Sequence, residues 1–260
     1  MSQRTLVMKF GGASVATPEH FSRIADLIIS RMQEYSRIAV VVSAMANTTD
    51  QLIALAKQVN PDPPRREYDM LVTVGERISI ALLAMALAGK GKEAVSFTGS
   101  QSGIITSGHH TEARIVDVRP HRILPVLDSS KIAIVAGFQG VSRGGEITTL
   151  GRGGSDTTAV ALGVALDSTR VEFFKDVPGI CSEDPKKSAS ANLFDQLSHQ
   201  QALDIVNQGA KVLHARCIQL AMKNQLMLHV RSFQTNESTG TMIGQEVRPV
   251  GEKPLYEDEQ

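Results

Sequence analysis

Residues 147–160 read Ile-Thr-Thr-Leu-Gly-Arg-Gly-Gly-Ser-Asp-Thr-Thr-Ala-Val. A strand-like run ends at Leu150, three glycines (Gly151, Gly153 and Gly154) flank Arg152, and a helical pattern opens with Ser155 and Asp156. A strand passing into a helix through a glycine turn is the building unit of an α/β sheet. It leaves backbone N–H groups aimed at an anion, here with a cation beside them. The same stretch also reads as an ordinary loop whose helix is capped by Ser155 or Asp156. Arg152 favours the anion reading, because a guanidinium between glycines has its fork free to meet a carboxylate in two parallel hydrogen bonds.

Working outward, apolar runs alternate with helical periodicity. Leu6–Phe10 reads as a buried strand. Thr17 and Pro18 then open a helix whose apolar face is Phe21, Ile24, Ala25, Ile28 and Met32. Further strands are expected at 38–42, 94–97, 103–106, 132–136, 171–174, 226–230 and 240–243. Helices are expected at 50–59, 67–88, 118–127, 155–166, 198–206 and 212–223. The 67–88 helix is apolar nearly all round from Ile78, which predicts burial. Ser198 with Gln201 fits a capping box, and Arg143-Gly144-Gly145 a hairpin tip. The alternation predicts an α/β fold with a mostly parallel central sheet and helices on both faces. In such sheets ligands sit beyond the carboxyl ends of the strands, where Lys9, Ser43, Thr98 and Gly151 would line one crevice.

Composition narrows the function classes. The 260 residues carry 42% hydrophobic and 21% charged side chains, ordinary for a globular chain. Lys plus Arg and Asp plus Glu balance at 27 each, so charge gives no case for nucleic acid or an anionic membrane as partner. The two cysteines, Cys181 and Cys217, form no CxxC and no Cys/His cluster with metal-ligand spacing; reduced thiols in a cytoplasmic protein are expected. No signal-peptide core and no apolar segment of membrane length is read in the chain. The residues after 245 are polar and read as a frayed tail.

Other segments leave their chemistry open. Lys9-Phe10-Gly11-Gly12 lacks the order of a Walker A loop. A lysine ending a buried strand before two glycines reaches a phosphate as readily as it forms a solvated turn. Glu76 sits in an apolar helix, either in an ion pair within the helix or as the receiver of a substrate ammonium. Lys175-Asp176-Val177-Pro178 is a charged turn or the wall of a nucleotide pocket. His109-His110 reads as a solvated pair.

Together these segments resemble the aspartate kinase branch of the amino acid kinase family, over residues 4 to about 244. The landmarks are Lys9-Phe10-Gly11-Gly12, Val42-Ser43-Ala44-Met45, Gly75-Glu76, Thr98 to Ile104, Gly137-Phe138-Gln139-Gly140, Gly151 to Thr158, Lys175-Asp176-Val177 and Gly209 to His214. The resemblance implies a three-layer αβα sandwich and ATP-dependent phosphorylation of the L-aspartate side chain. An amino-acid lobe would span about 1–150 and a nucleotide lobe about 151–245, with a polar tail at 246–260. Lys9 and Asp156 would be catalytic, with Asp156 orienting Lys9. Ser43, Thr49, Glu76, Arg152, Gly153, Gly154 and Ser155 would bind substrate, Glu76 at the ammonium and Arg152 at a carboxylate. Lys9, Phe10, Gly11, Gly12, Lys175, Asp176, Cys181, Lys186, Lys211 and Val212 would contact ATP. Mg²⁺ would be held by the nucleotide phosphates rather than by protein ligands. Family members commonly dimerise through this domain and continue into paired ACT domains. We therefore expect a homodimer, and a catalytic domain without ACT domains. Uridylate, N-acetylglutamate or glutamate kinases of the same fold, or a non-catalytic binding subunit, are the alternatives.

Overall fold

The computed structural model describes residues 4–183, 191–234, 239–245 and 253–259. In chain order the elements are β1 (Thr5–Phe10), α1 (Pro18–Arg31), β2 (Arg37–Val42), α2 (Thr48–Val59), α3 (Arg65–Val72), α4 (Val74–Gly89), β3 (Ala94–Phe97), β4 (Ile104–Thr106), β5 (Ile115–Val118), α5 (Leu124–Asp128), β6 (Ile132–Ala136), β7 (Gln139–Ser142), β8 (Ile147–Thr149), α6 (Gly154–Ala165), β9 (Arg170–Lys175), β10 (Gln196–Leu197), α7 (His199–Asn207), α8 (Ala215–Lys223), β11 (Leu228–Ser232) and β12 (Thr241–Ile243). The large sheet runs β10-β12-β11-β9-β1-β2-β6-β3. Its strands from β11 across to β3 pair in parallel, and β12 pairs antiparallel with β11.

The period of two along these strands divides the core into two layers. Leu6, Met8, Phe10, Val40, Val42 and Ile134 pack with Phe21, Ile24 and Ile28 of α1 and Leu83 and Leu87 of α4. Val7, Val41, Val135, Val171 and Phe173 pack with Leu162 of α6, Leu203 of α7 and Ile218 of α8. This is the expected αβα arrangement. It also fixes the direction of two charges: Lys9 and Lys175 have the parity of Val7 and Phe173, so both side chains leave the sheet on the α6 side.

A second sheet, β5-β4-β7-β8, carries the predicted hairpin. Its tip includes Gly145 at φ +87°, a conformation that favours glycine. The hairpin delivers the end of β8 to the cleft above the large sheet, where the chain becomes the Gly151–Asp156 loop.

Several boundaries differ from the sequence reading. The 67–88 helix is two helices, broken at Thr73, whose carbonyl accepts a 3.0 Å hydrogen bond from the buried Gln139 side chain. By length and composition Arg65–Gly89 is apolar enough to cross a membrane, contrary to the expectation that no segment is. Here it packs on α1, β3 and β6. It is not buried all round, because an outer-layer helix turns one face away from the sheet: Val74, Ile78 and Met85 are exposed. The 118–127 segment splits between the end of β5 and the short α5, which starts beside Pro125 where a missing N–H costs no helical bond. Thr17 occupies the N-cap of α1 without a side-chain capping bond. The capping box at Ser198 and Gln201 is present. Of the tail, Tyr256 packs on the core and Leu255 and Glu257 are hydrogen-bonded to the domain rather than frayed, while Lys253, Pro254, Asp258 and Glu259 are exposed.

Candidate active site

The cleft lies beyond the carboxyl ends of β1, β2 and β9. Lys9 is the next-to-last residue of the central strand β1, and register places it beside Phe173 of β9 and Val41 of β2. Across from it α6 begins. Its N-cap is Gly153 at φ +74°, so no side chain caps the helix, and Ser155 and Asp156 fall inside the first turn instead of capping it. Glycines permit the close approach. A Cβ at Gly153 would lie 2.3 Å from Cγ of His214, and one at Gly137 would lie 2.7 Å from Cβ of Ser155.

Asp156 stands between two lysines. Lys9 Nζ is 2.5 Å from its Oδ1 and Lys175 Nζ 3.0 Å from its Oδ2, and Lys9 and Asp156 are almost fully buried. Burial alone would raise the Asp156 pKa, but Lys175 and Lys9 outweigh it and hold the carboxyl at about 2. For Lys9, burial dominates and lowers the ammonium pKa, with Asp156 opposing. The trio carries a net positive charge in a poorly solvated place, beside first-turn N–H groups of α6. Such a site offsets the cost of bringing in an anion.

Glu76 faces the same space from the first turn of α4. Its Oε1 accepts the Ala44 N–H at 3.0 Å, while the buried Oε2 has no hydrogen-bond partner among the described residues. Burial pushes its pKa up to about 7. An unpaired, buried carboxylate oxygen is costly unless a donor arrives. Arg152 is exposed and has no ion-pair partner among the described residues. Lys9, Ser43, Thr49, Glu76, Arg152, Gly153, Gly154, Ser155 and Asp156 line one cavity of about 270 Å³. All nine residues expected to be catalytic or to bind substrate thus converge on it.

The residues expected at a nucleotide divide. Lys175, Asp176, Cys181, Lys211 and Val212 line an adjoining groove of about 600 Å³, together with Ile205 and Gly209. Gly11 and Gly12 form the turn after β1, where a Cβ on Gly11 would lie 3.5 Å from Lys9 Nζ. Phe10 does not offer its ring to either space: the ring is buried, stacked on Phe174 at 4.7 Å, because its parity points it to the α1 side. Lys186 lies outside the described residues.

Sequence reasoning missed three participants. Phe138 lines the same 270 Å³ cavity with a positive φ of 69°; its signal was the Gly137-Phe138 motif. His214 caps α8 and packs under Gly153. Asp69 is fully buried. It accepts from Thr149 N and Oγ1, from Thr111 N, and pairs with His110 Nδ1 at 2.8 Å, fixing the end of β8. His110 is therefore not a solvated loop histidine. Among the described residues no three His, Cys, Asp or Glu side chains stand together as a metal cage.

The sequence pattern of the amino acid kinase family matches residues 4–232. The aspartokinase of Mycolicibacterium smegmatis is 48% identical over 239 residues, covering 92% of this chain and 56% of the relative. The crystal structure of aspartate kinase from Synechocystis superposes with a TM-score of 0.83 at 41% identity, over 96% of this chain and 40% of that one. E. coli aspartokinase III in complex with aspartate and ADP gives 0.84 at 27% identity, over 94% and 65%. The chain thus spans little more than half the length of the curated relative.

Proposed function

From the premise that this chain belongs to the amino acid kinase family, we propose that it transfers the γ-phosphoryl group of ATP to the side-chain carboxylate of L-aspartate, giving 4-phospho-L-aspartate and ADP. The observation that carries the reading is the single cavity in which an exposed arginine, an unpaired buried carboxylate and a two-lysine, one-aspartate cluster face one another. An amino acid with a second carboxylate presents the complementary charges. Its ammonium would meet Glu76 Oε2 and its α-carboxylate would meet Arg152. Its side chain would then point toward Lys9.

The acceptor carboxylate, with an ordinary pKa near ~3.9, is already ionised at neutral pH, so no general base is required. One of its oxygens attacks the γ-phosphorus, and the bond to the β-phosphate oxygen breaks with its electron pair leaving on ADP. The obstacle is repulsion: two unit charges ~4 Å apart oppose each other by roughly 4 kcal/mol at an effective dielectric of ~20. Lys9 and the first-turn N–H groups of α6 lower that cost where charge accumulates in transfer. Asp156 bonds Lys9 and Lys175 together, offsetting their mutual repulsion and aiming both. The groove formed by Lys175, Cys181, Lys211 and Val212 would take the nucleotide. Mg²⁺ bound to the phosphates would reduce their charge; with no acidic cage among the described residues, phosphate oxygens and water would hold it. The reaction would commit aspartate toward lysine, threonine and methionine, and toward diaminopimelate in bacteria.

Incubation with aspartate, ATP and hydroxylamine tests the reading, since an acyl phosphate is trapped as the hydroxamate. Aspartyl hydroxamate formed in step with ADP is expected. Its absence, with turnover of uridylate, N-acetylglutamate or glutamate instead, would assign the fold to a different acceptor.

A further inference from the structure

The packed part of the C-terminal segment is tied to the domain by specific bonds. Leu255 N donates to Asn224 Oδ1 at 2.9 Å, and Asn224 Nδ2 donates back to the Leu255 carbonyl at 2.7 Å. Glu257 N donates to the Ile115 carbonyl, and Ile115 N donates to Glu257 Oε2, both at 2.9 Å. The Glu257 carboxylate then receives the Arg216 fork: Nε to Oε1 at 2.8 Å and Nη2 to Oε2 at 2.9 Å. Arg114 lies 3.5 Å from the same carboxylate.

Arg216 stands in the first turn of α8, and its remaining contacts lead toward the cleft. Nη2 donates to the Ala113 carbonyl at 3.1 Å and Nη1 donates to the Leu150 carbonyl. Leu150 is fully buried, and its carbonyl belongs to the peptide that enters Gly151, at φ +71°. Two residues before Arg216, His214 packs beneath Gly153. The loop that bears Arg152 has no capping side chain of its own. The start of α8 therefore supports it from below at two points, and Glu257 orients one of them.

We infer that Arg216, oriented by Glu257, is a positioning residue for the Arg152 loop, so that residues 253–259 set how tightly the acceptor carboxylate is held. This rests on the reading that Arg152 receives that carboxylate. Neither residue lines the cavity, so the effect acts through loop geometry. A guanidinium is needed because it spans two carbonyls and a carboxylate in one rigid plane, which a lysine ammonium does not reproduce.

The test compares Glu257→Gln, Glu257→Ala and Arg216→Lys in the full chain by steady-state kinetics and amide hydrogen exchange. The expected result is a rise of about tenfold in KM for aspartate, with KM for ATP and kcat within about twofold of the parent. Faster exchange over residues 150–156 but not over α1 should accompany it. A contribution to folding alone would lower the melting temperature and leave KM for aspartate in place, and that result overturns the inference. Glu257→Gln retains side-chain shape and decides the matter if Glu257→Ala does not fold. If the parent protein yields no aspartyl hydroxamate, the functional reading fails separately. Exchange over 150–156 then decides, and unchanged exchange in all three variants overturns the positioning role.

Discussion

Two lysines share one carboxylate in this cleft, and the imbalance is the resource the reaction would draw on. Lys9→Ala should lower kcat by about a thousandfold with little change in KM for aspartate, because an interaction gained mainly in the transition state is lost. Steady-state kinetics with ADP detection measures this. Arg152→Ala should instead raise KM for aspartate by roughly ten- to a hundredfold, the worth of a charged hydrogen-bonded pair. Glu76 gives the pH dependence. Burial raises its pKa to about 7, and only the ionised form welcomes an ammonium. KM for aspartate should therefore fall as pH rises toward about 7 and level off above it, and Glu76→Gln should flatten that profile. Asp156 acts with the opposite sign. Its pKa falls from 3.8 to about 2, so its contribution to stability is present above pH 3.8 and is lost as pH falls through about 2. The loss is on the order of 2 kcal/mol, visible as a shallower acid-unfolding slope in Asp156→Asn.

At the scale of elements, the glycine loop is the part that substitution should disturb most. Gly153→Ala places a Cβ at φ +74° against the His214 ring, and should cost on the order of 2 kcal/mol, read as a lowered melting temperature. Much of the site was legible because its parts are local: a lysine near the end of an apolar strand, an arginine between glycines, and an acid at the head of a helix. The parity of β1 places Lys9 opposite α6, and that parity is written in Val7 and Lys9 themselves. The same rule sends the Phe10 ring to the far layer, although the motif placed it with the nucleotide contacts. What could not be read depends on distant partners. The break at Thr73 requires Gln139, and the docking of Glu257 requires Arg216. The role of Asp69 requires Thr111 and Thr149 to come within reach. Apolar periodicity carries no record of such polar pairings.

Across the whole molecule, the central place of β1 sets an order of events on heating. The strand has parallel partners on both sides, and its apolar residues Leu6, Val7, Met8 and Phe10 are fully buried. Local openings start where few contacts must break and reach such a strand only with global unfolding. The glycine loop across the cleft, where Arg152 is exposed and no side chain caps α6, is expected to open at lower cost. Enzymatic activity should therefore disappear several degrees before the far-ultraviolet circular dichroism signal does. Amides of β1 should be among the last to exchange with deuterium, so the chain would stop working while its scaffold, lysine included, was still standing.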